Sequence, residues 1–368
     1  MKKIWHLVLT GGPCSGKTTA IATIEKELSA RGYYVLIVPE TATELISNGI
    51  RPFGNCLDSL SFQKIVFEKQ SHKETLYLEV AKKIPADKIV ILYDRGLMES
   101  KTYMSMEDFN KLLEFFKTDE ISVKDRYDAV FHLVTAADGA EKYYTLENNL
   151  ARTETPEQAR SLDRKGIENW TGHPHLRVID NSTNFSQKIS RLMAEVYSVL
   201  GNPVPVEIER RFLVQKPDLA DISKHVSITT VNIVQTYLKS KDGTEVRLRQ
   251  RGINGSYFYY LTEKTEVSNL TRVEKEQKIS ERQYIESLNL ADTSLKQIVK
   301  KRACFVYSNQ YFELDLFDFS DDKAIVEIEL TSESDTIRFP EFLHVIREIT
   351  NDLSYRNIAL AKNQKLWY

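Results

Sequence analysis

The 368-residue sequence predicts two domains in series: an α/β domain built on a parallel sheet with helices on both faces, then an α+β domain built on an antiparallel sheet of eight strands. Three observations predict this. Strand-like and helix-like segments alternate over roughly the first 200 residues. At Gly201-Asn202-Pro203-Val204-Pro205 two prolines and a glycine fall within five residues, which marks a linker. Beyond it come short stretches rich in Val, Ile, Tyr and Thr with polar and apolar residues alternating. The domains are expected over 1–202 and 203–368.

In the first domain, Ile4–Leu9 reads as a strand, Thr18–Ala30 as a helix and Tyr33–Val38 as a strand. A helix over Ser59–Ala81, strands over Lys88–Tyr93 and Ala129–Val134, and a charged helix over Thr155–Trp170 follow. Arg177–Asp180 is a short strand, and Phe185–Leu200 closes the domain as an amphipathic helix. In the second domain the strands are Val206–Val214, Val231–Lys239, Glu245–Gly252, Tyr257–Thr265, Arg272–Ser280, Val299–Tyr307, Tyr311–Phe317 and Ala324–Leu330. Helices are expected over Ile285–Gln297 and Glu341–Ile349.

Between the first strand and the first helix, Gly11-Gly12-Pro13-Cys14-Ser15-Gly16-Lys17-Thr18 fits G-x-x-x-x-G-K-[ST] in full. A Gly-rich turn at a helix start lets backbone N–H groups close around phosphate oxygens. Lys17 would reach the outer phosphates, the Thr18 hydroxyl would ligate Mg2+, and Thr19 extends the same turn. An ordinary β–α turn does not explain why Lys and Thr follow the last glycine.

Composition narrows the function classes. The net charge of −2 makes no electrostatic case for a nucleic-acid partner. No apolar run reaches the roughly 18 residues needed to cross a bilayer. Met-Lys-Lys-Ile-Trp-His runs straight into the first strand, so a cleavable signal is not expected. Cys14, Cys56 and Cys304 form no C-x-x-C pair, which fits a reducing, cytoplasmic setting.

Asp94 ends the apolar run Ile89-Val90-Ile91-Leu92, where a carboxylate can hold Mg2+ or its water; the plainer alternative is a helix cap. Glu40 also ends a strand-like run, as a general base or sugar-hydroxyl ligand, or as an acid favoured by a helix N-terminus. Arg152, Arg160 and Arg164 lie in a charged stretch. Arg160 and Arg164 share a helix face, as a phosphate lid or as a solvated surface with ion pairs. His173 and His175, around Pro174, are too few for a metal centre and read as a turn against the nucleotide base or the sheet edge.

Together with Thr10–Thr19, the segments Pro39-Glu40-Thr41-Ala42-Thr43, Asp94-Arg95-Gly96, Phe131–Ala137 and Trp170–Asn181 make the first domain resemble AAA-type P-loop ATPases. Its sheet resembles that of nucleoside and ribosylnicotinamide kinases. The resemblance implies that Asp94, Arg95 and Glu40 stand at positions that bind magnesium and substrate. No N-K-x-D guanine-reading motif is present; the resemblance to related fusion proteins that bind GTP without it keeps both ATP and GTP as the expected nucleotide.

In the second domain, Glu207, Glu209 and Arg211 fall on one face of a strand, and Val206, Ile208 and Phe212 on the other. Val326-Glu327-Ile328-Glu329-Leu330 repeats the pattern. Two Glu-x-Glu pairs on different strands can converge on hard divalent cations, and would repel without them. Arg247 and Arg249, Lys264, Arg272, and Lys300 and Arg302 recur with the same parity, and Asp315 shares a face with Glu313. A face of this kind suits a polyanion held with metal, the arginine forks gripping phosphate oxygens. The bland reading of each pair alone is a solvated strand face.

This order of motifs is similar to the CYTH, or triphosphate tunnel metalloenzyme, superfamily over about residues 204–362. The resemblance implies an eight-stranded tunnel that binds triphosphate with Mg2+ or Mn2+. The opening motif E-x-E-x-K ends here in Arg211, which stays protonated and cannot relay protons, leaving Lys264 as the matched lysine. The expected activity is therefore that of a metal-dependent enzyme with two phosphate sites. The first uses Lys17 and Asp94 on ATP or GTP. The second uses Arg211 and Lys264 on a nucleoside triphosphate or tripolyphosphate, with Glu207, Glu209, Glu327 and Glu329 as metal ligands. Two competing readings are a nucleotide-controlled binding module, whose tunnel holds a phosphorylated ligand such as a phosphoinositide headgroup or a nucleotide and which binds a lipid or protein partner, and a small-molecule kinase fused to a phosphatase.

Overall fold

The computed structural model describes residues 2–144, 154–201, 208–240, 244–268, 271–330 and 335–366; of residues 208, 264–268 and 271–275 it describes the backbone alone. Glu207 and Arg152 therefore lie outside the described residues, as do the side chains of Lys264 and Arg272. The chain divides into two compact units, Met1–Val196 and Tyr197–Tyr368.

The first unit runs β1 (Lys3–Gly11), α1 (Lys17–Ala30), β2 (Tyr34–Val38), α2 (Thr41–Ser47), α3 (Ser59–Lys83), β3 (Lys88–Asp94), α4 (Met106–Phe115), α5 (Glu120–Lys124), β4 (Ala129–Leu133), α6 (Pro156–Trp170), β5 (Leu176–Ile179) and α7 (Phe185–Leu200). A 3-10 turn, Leu97–Tyr103, follows β3. The five strands are parallel in the order β2-β3-β1-β4-β5. Leu7, Val8 and Leu9 of β1 and Ile89–Leu92 of β3 are fully buried, as strands covered on both faces must be. From β1 the chain crosses to β2 beyond β3, and from β3 it crosses back past β1 to β4, so the order reverses between β3 and β1, where such sheets open a ligand crevice. The glycine-rich loop follows the end of β1. Helices α2, α4 and α5 are additional to the expected elements; α4 and α5 start at the side-chain caps Ser105 and Asp119.

The second unit contains β6 (Ile208–Gln215), α8 (Leu219–Ile222), β7 (Thr229–Tyr237), β8 (Glu245–Ile253), β9 (Ser256–Ser268), β10 (Thr271–Ile279), α9 (Glu281–Leu288), β11 (Ile298–Tyr307), β12 (Gln310–Phe317), β13 (Lys323–Leu330), β14 (Val345–Glu348) and α10 (Asn357–Asn363). The strands form one sheet in the order β10-β9-β8-β7-β11-β12-β13-β6-β14, with antiparallel pairing throughout. The architecture is that of a P-loop α/β domain followed by a CYTH tunnel domain. Two hairpins are closed by residue pairs in the left-handed region, Asn254-Gly255 and Ser308-Asn309. Such two-residue turns match strand twist and lock register.

Two expectations need correction. Residues 341–349 do not form a helix: Val345–Glu348 is a ninth strand pairing with β6. The exposed N–H and C=O groups of a sheet edge recruit a backbone partner, which overrides local helix preference. The helix expected over Ile285–Gln297 lies at Glu281–Leu288 instead, because Ser280 and Gln283 build a capping box that starts it earlier.

One sheet face carries a large apolar cluster, including Phe212, Val214, Phe305, Phe312, Leu314, Val326 and Ile328. On the same side α9 covers Leu248 with Tyr284. The opposite face is apolar at one end, where Leu213, Tyr237, Ile298, Phe317 and Ile325 meet Tyr355, Leu360 and Leu366 of the C-terminal segment. Replacing the fully buried Phe312 by Ala should lower the unfolding free energy by about 3–5 kcal/mol, measurable by denaturant unfolding.

Helix α7 carries a cation into the first unit. Lys188 is 2% exposed, and its Nζ donates to Val134 O and Asn181 Oδ1, both at 2.7 Å, and to Ser15 O at 3.4 Å. Burial pushes its ammonium down from 10.5 to about 8. Between these values the unfolded chain holds the proton that the folded chain has lost, so stability rises with pH across that window. The urea midpoint of the first unit should therefore rise between pH of about 8 and about 10 relative to Lys188→Met. Equal pH slopes in the two proteins would refute this.

Candidate functional site

The phosphate-type loop sits at the end of β1, with Gly16 as the N-cap of α1 in the left-handed region. Lys17 Nζ folds back onto the loop, donating to Gly11 O at 2.9 Å and Gly12 O at 3.4 Å. Thr18 and Thr19 are exposed, Pro13 and Cys14 half-buried, and Ser15 buried with no hydrogen-bond partner at its Oγ. The loop is gripped from behind. Thr135 Oγ1 donates to Pro13 O at 2.5 Å, Asp163 Oδ1 accepts the Gly12 N–H at 2.6 Å, and Lys188 reaches Ser15 O.

Asp94 is the last residue of β3 and lies opposite Leu9 in the parallel register, beside the loop. Its Oδ1 is buried without a hydrogen-bond partner, and burial, then the charge of Glu40, raises its pKa. It does not cap the next turn, whose N-cap is Gly96. Glu40 is the N-cap residue of α2 but gives that helix no side-chain cap bond. Its carboxylate instead accepts Arg95 Nε at 2.6 Å and Thr43 Oγ1 at 2.9 Å. Burial opposes the Glu40 charge, yet Arg95 and then Lys17 hold its pKa below the ordinary value. Arg95 itself has φ +71°, a left-handed conformation that costs a non-glycine residue about 1–2 kcal/mol. Strain of this kind gathers at functional positions.

Arg160 is tied at both ends of its fork: Nη1 donates to Ala137 O at 2.7 Å and Nη2 to Glu157 at 2.9 Å, whereas Arg164 is exposed. His173 is fully buried, contacting Tyr127 O at 3.0 Å through Nε2 and accepting the His175 N–H at 3.0 Å through Nδ1. It is a packed turn residue. Trp170 beside it donates to the buried Glu99 at 3.0 Å.

In the second unit, register decides which side chains share a face. On the carboxylate-rich part, Glu313 stands opposite Glu327, Glu327 opposite Arg211, and Glu329 opposite Glu209. Like charges directly opposed across a ladder push the strands apart. Arg302 answers most of this: Nε and Nη2 bind Asp315 bidentately at 2.7 Å, Nη2 reaches Glu327 at 2.5 Å, and Nη1 contacts Glu313. Arg211 Nε lies 3.1 Å from Glu327 and 3.3 Å from Glu209, and Lys300 bonds Asp315. Burial opposes the Glu327 charge, but Arg302, Lys300 and Arg211 hold its carboxyl far below the usual range. Burial raises the Glu313 carboxyl and lowers the Lys300 ammonium.

The same face continues across β7 to β8, where Gln235 stands opposite Arg249 and Tyr237 opposite Arg247. Arg249 meets Glu276 of β10 at 3.2 Å, and Arg247 is buried. The backbone positions of Lys264, opposite Glu245, and of Arg272, opposite Glu266, share this parity. Arg251 belongs to the same row and is also buried; continuing the two-residue period of Arg247 and Arg249 would have found it. Asp163 also escaped the sequence reading. Its signal is an acid within the buried Ala159-Asp163-Ile167 stripe of α6.

Around Glu327, the carboxylates Glu209, Glu313, Asp315 and Glu329 outnumber Lys300, Arg302 and Arg211, so the donor set fits a hard cation. The buried, unbonded Asp94 Oδ1 fits one at the loop. Among the described residues no three His, Cys, Asp or Glu side chains gather closely enough to hold a metal alone. No helix of the described residues is long and apolar enough to cross a membrane.

Residues 6–188 match a family model described as an AAA domain, and residues 206–353 match one described as a CYTH domain. Among solved structures, an inorganic triphosphatase is 33% identical over 43% of this chain and 95% of its own, with a TM-score of 0.32. A protein from Pyrococcus horikoshii is 20% identical over 34% of this chain and 80% of its own, TM-score 0.27. A conserved protein from Pyrococcus furiosus is 22% identical over 35% and 81%, TM-score 0.26. No curated protein matches the chain. Loop, sheet order and family matches agree along the sequence: the chain carries an AAA domain over residues 6–188 followed by a CYTH domain over residues 206–353.

Proposed function

We propose that this protein is a metal-dependent phosphohydrolase with two phosphate sites. The first-unit site binds ATP or GTP. The tunnel of the second unit binds and hydrolyses a nucleoside triphosphate or tripolyphosphate. The observation that carries the reading is the division of one continuous sheet face into a carboxylate-rich part on β6 and β11–β13 and an arginine row on β8. One part suits cations and the other phosphate oxygens, so a metal–polyphosphate complex satisfies both.

At the loop, the N–H groups from Cys14 to Thr19 and the Lys17 ammonium would receive the phosphates, with Thr18 and Asp94 holding Mg2+. Lys17 must leave the Gly11 and Gly12 carbonyls to do so. Arg160 would approach the outer phosphate from α6, and Arg152 is the other arginine assigned to it. Glu40, kept ionised by Arg95, would accept a proton from a water or from an acceptor hydroxyl, the second of which would make phosphoryl transfer to a small molecule a reaction of the same site.

In the tunnel, Glu209, Glu327 and Glu329, with Glu207, would hold Mg2+ or Mn2+, which supplies charge neutralisation and polarises a water when bound. Arg247, Arg249 and Arg272 would cradle the phosphates; Arg211, Lys300 and Arg302 would have to leave the carboxylates they hold to join them. Lys264 is the matched cation able to release a proton, because Arg211 cannot.

Phosphate release from ATP, GTP and tripolyphosphate, with Mg2+ or Mn2+, tests this. Glu327→Gln/Glu329→Gln should lower tripolyphosphate hydrolysis roughly 100-fold or more and Lys17→Ala should leave it intact. Lys17→Ala should instead abolish loop-dependent turnover of ATP or GTP, and chelation should stop both activities. Arg211 favours one second reading, a tunnel that binds a phosphorylated headgroup and does not turn it over. Tight tripolyphosphate binding with no release in the intact chain would establish that reading and sink the hydrolase.

A further inference from the structure

Helix α6 meets the loop at the carboxylate of Asp163. Asp163 Oδ1 accepts the Gly12 N–H at 2.6 Å and contacts His132 Nε2 at 3.0 Å. Asp163 is 4% exposed and His132 1%. His132 belongs to β4 and stands opposite Thr10 of β1, so the sheet holds the imidazole and the imidazole holds the carboxylate. Burial opposes the Asp163 charge, but the His132 ring and then the Gly12 N–H keep its pKa below the ordinary value. A Cβ on Gly12 would lie 2.5 Å from Asp163 Oδ1. Loop and helix are therefore as close as a bare peptide and a carboxylate can come.

Three residues earlier on α6, Arg160 donates to Ala137 O at 2.7 Å. That segment returns to the loop through Thr135 Oγ1 and Pro13 O. Consecutive loop residues are thus tied, directly or through one intermediate, to the helix that carries the arginine.

We propose that Asp163 is a positioning residue that couples α6, and with it Arg160, to the phosphate loop, so that nucleotide binding and the placement of α6 form one equilibrium. The proposal rests on the loop being a nucleotide site. An anion that pulls the loop N–H groups toward it displaces the Gly12 peptide, and the charge-assisted bond carries the displacement into α6. By linkage, whatever fixes α6 must also favour the bound form of the loop, to the same extent.

The test uses the full chain: ATP binding and KM are measured for wild type, Asp163→Ala, Asp163→Asn, Arg160→Ala and Asp163→Ala/Arg160→Ala. Tripolyphosphate turnover by the second unit serves as an internal control. Asp163→Ala should weaken ATP binding about ten-fold, the value of one charge-assisted bond, while tripolyphosphate turnover holds. Asp163→Asn, which keeps an acceptor oxygen, should recover most of the loss. Arg160→Ala should cost affinity in the wild-type background and little in the Asp163→Ala background. Gly12→Ala reaches the same contact from the loop side without altering α6. It should reproduce both the loss and the insensitivity to Arg160→Ala, which keeps the test decisive if Asp163→Ala does not fold. Wild-type ATP affinity in a folded Asp163→Ala protein, or simply additive effects of the two α6 substitutions, would overturn the coupling alone. A wild-type chain that binds no ATP would overturn it together with the nucleotide-site reading.

Discussion

Arg302 holds Glu313, Asp315 and Glu327 with one guanidinium, and the second unit cannot keep its strands in this register without something in that place. The apolar side chains between the acids, Leu314, Val326 and Ile328 among them, must all point to the opposite face to build the core. Period-two geometry then forces the acids together on the other face, two of them directly opposed. Burying such a set is costly unless each charge is met by donors of matching geometry. A planar fork with five donors meets three carboxylates at once where a lysine could not. Core packing and inner-face chemistry are therefore two sides of one constraint, and Arg302 reconciles them.

The first unit meets the converse demand. Its loop must present N–H groups outward, so the carbonyls on its other side need partners from within. Thr135 and Lys188 supply donors to Pro13 and Ser15, while Asp163 takes the one N–H, that of Gly12, that is turned inward. Oxygen Oδ1 of Asp94 is the complementary feature: a buried polar atom that the protein itself leaves without a hydrogen bond.

Features carried by local sequence were legible. The loop motif sat between its strand and helix, the α/β alternation gave all five parallel strands, and Phe185–Leu200 emerged with its expected bounds. The Glu-x-Glu and Arg-x-Arg parities placed the charged residues on one face because strand geometry leaves no other outcome. Features that depend on a distant partner were not legible. The β-branched pair Val345-Ile346 is too short a signal to set a strand by itself; pairing with the edge of β6 settles it. Asp163, His132 and Lys188 lie far from the motif in sequence and meet it only once the sheet is assembled. Helix α9 was misplaced because a local signal, the Ser280 and Gln283 capping box, went unread.

The closed hairpins at Asn254-Gly255 and Ser308-Asn309 bear on how the second unit can vary. Adding or removing one residue within a strand would exchange its two faces, driving acids into the apolar cluster and Leu or Val onto the charged side. Turns of two residues leave no slack to absorb the change. Length variation is thereby confined to the longer connections, whereas the strands can diversify only by exchanging one side chain for another. Ligand preference in this architecture is accordingly written in residue identity at fixed positions along rigid rows, and loop length has little say in it.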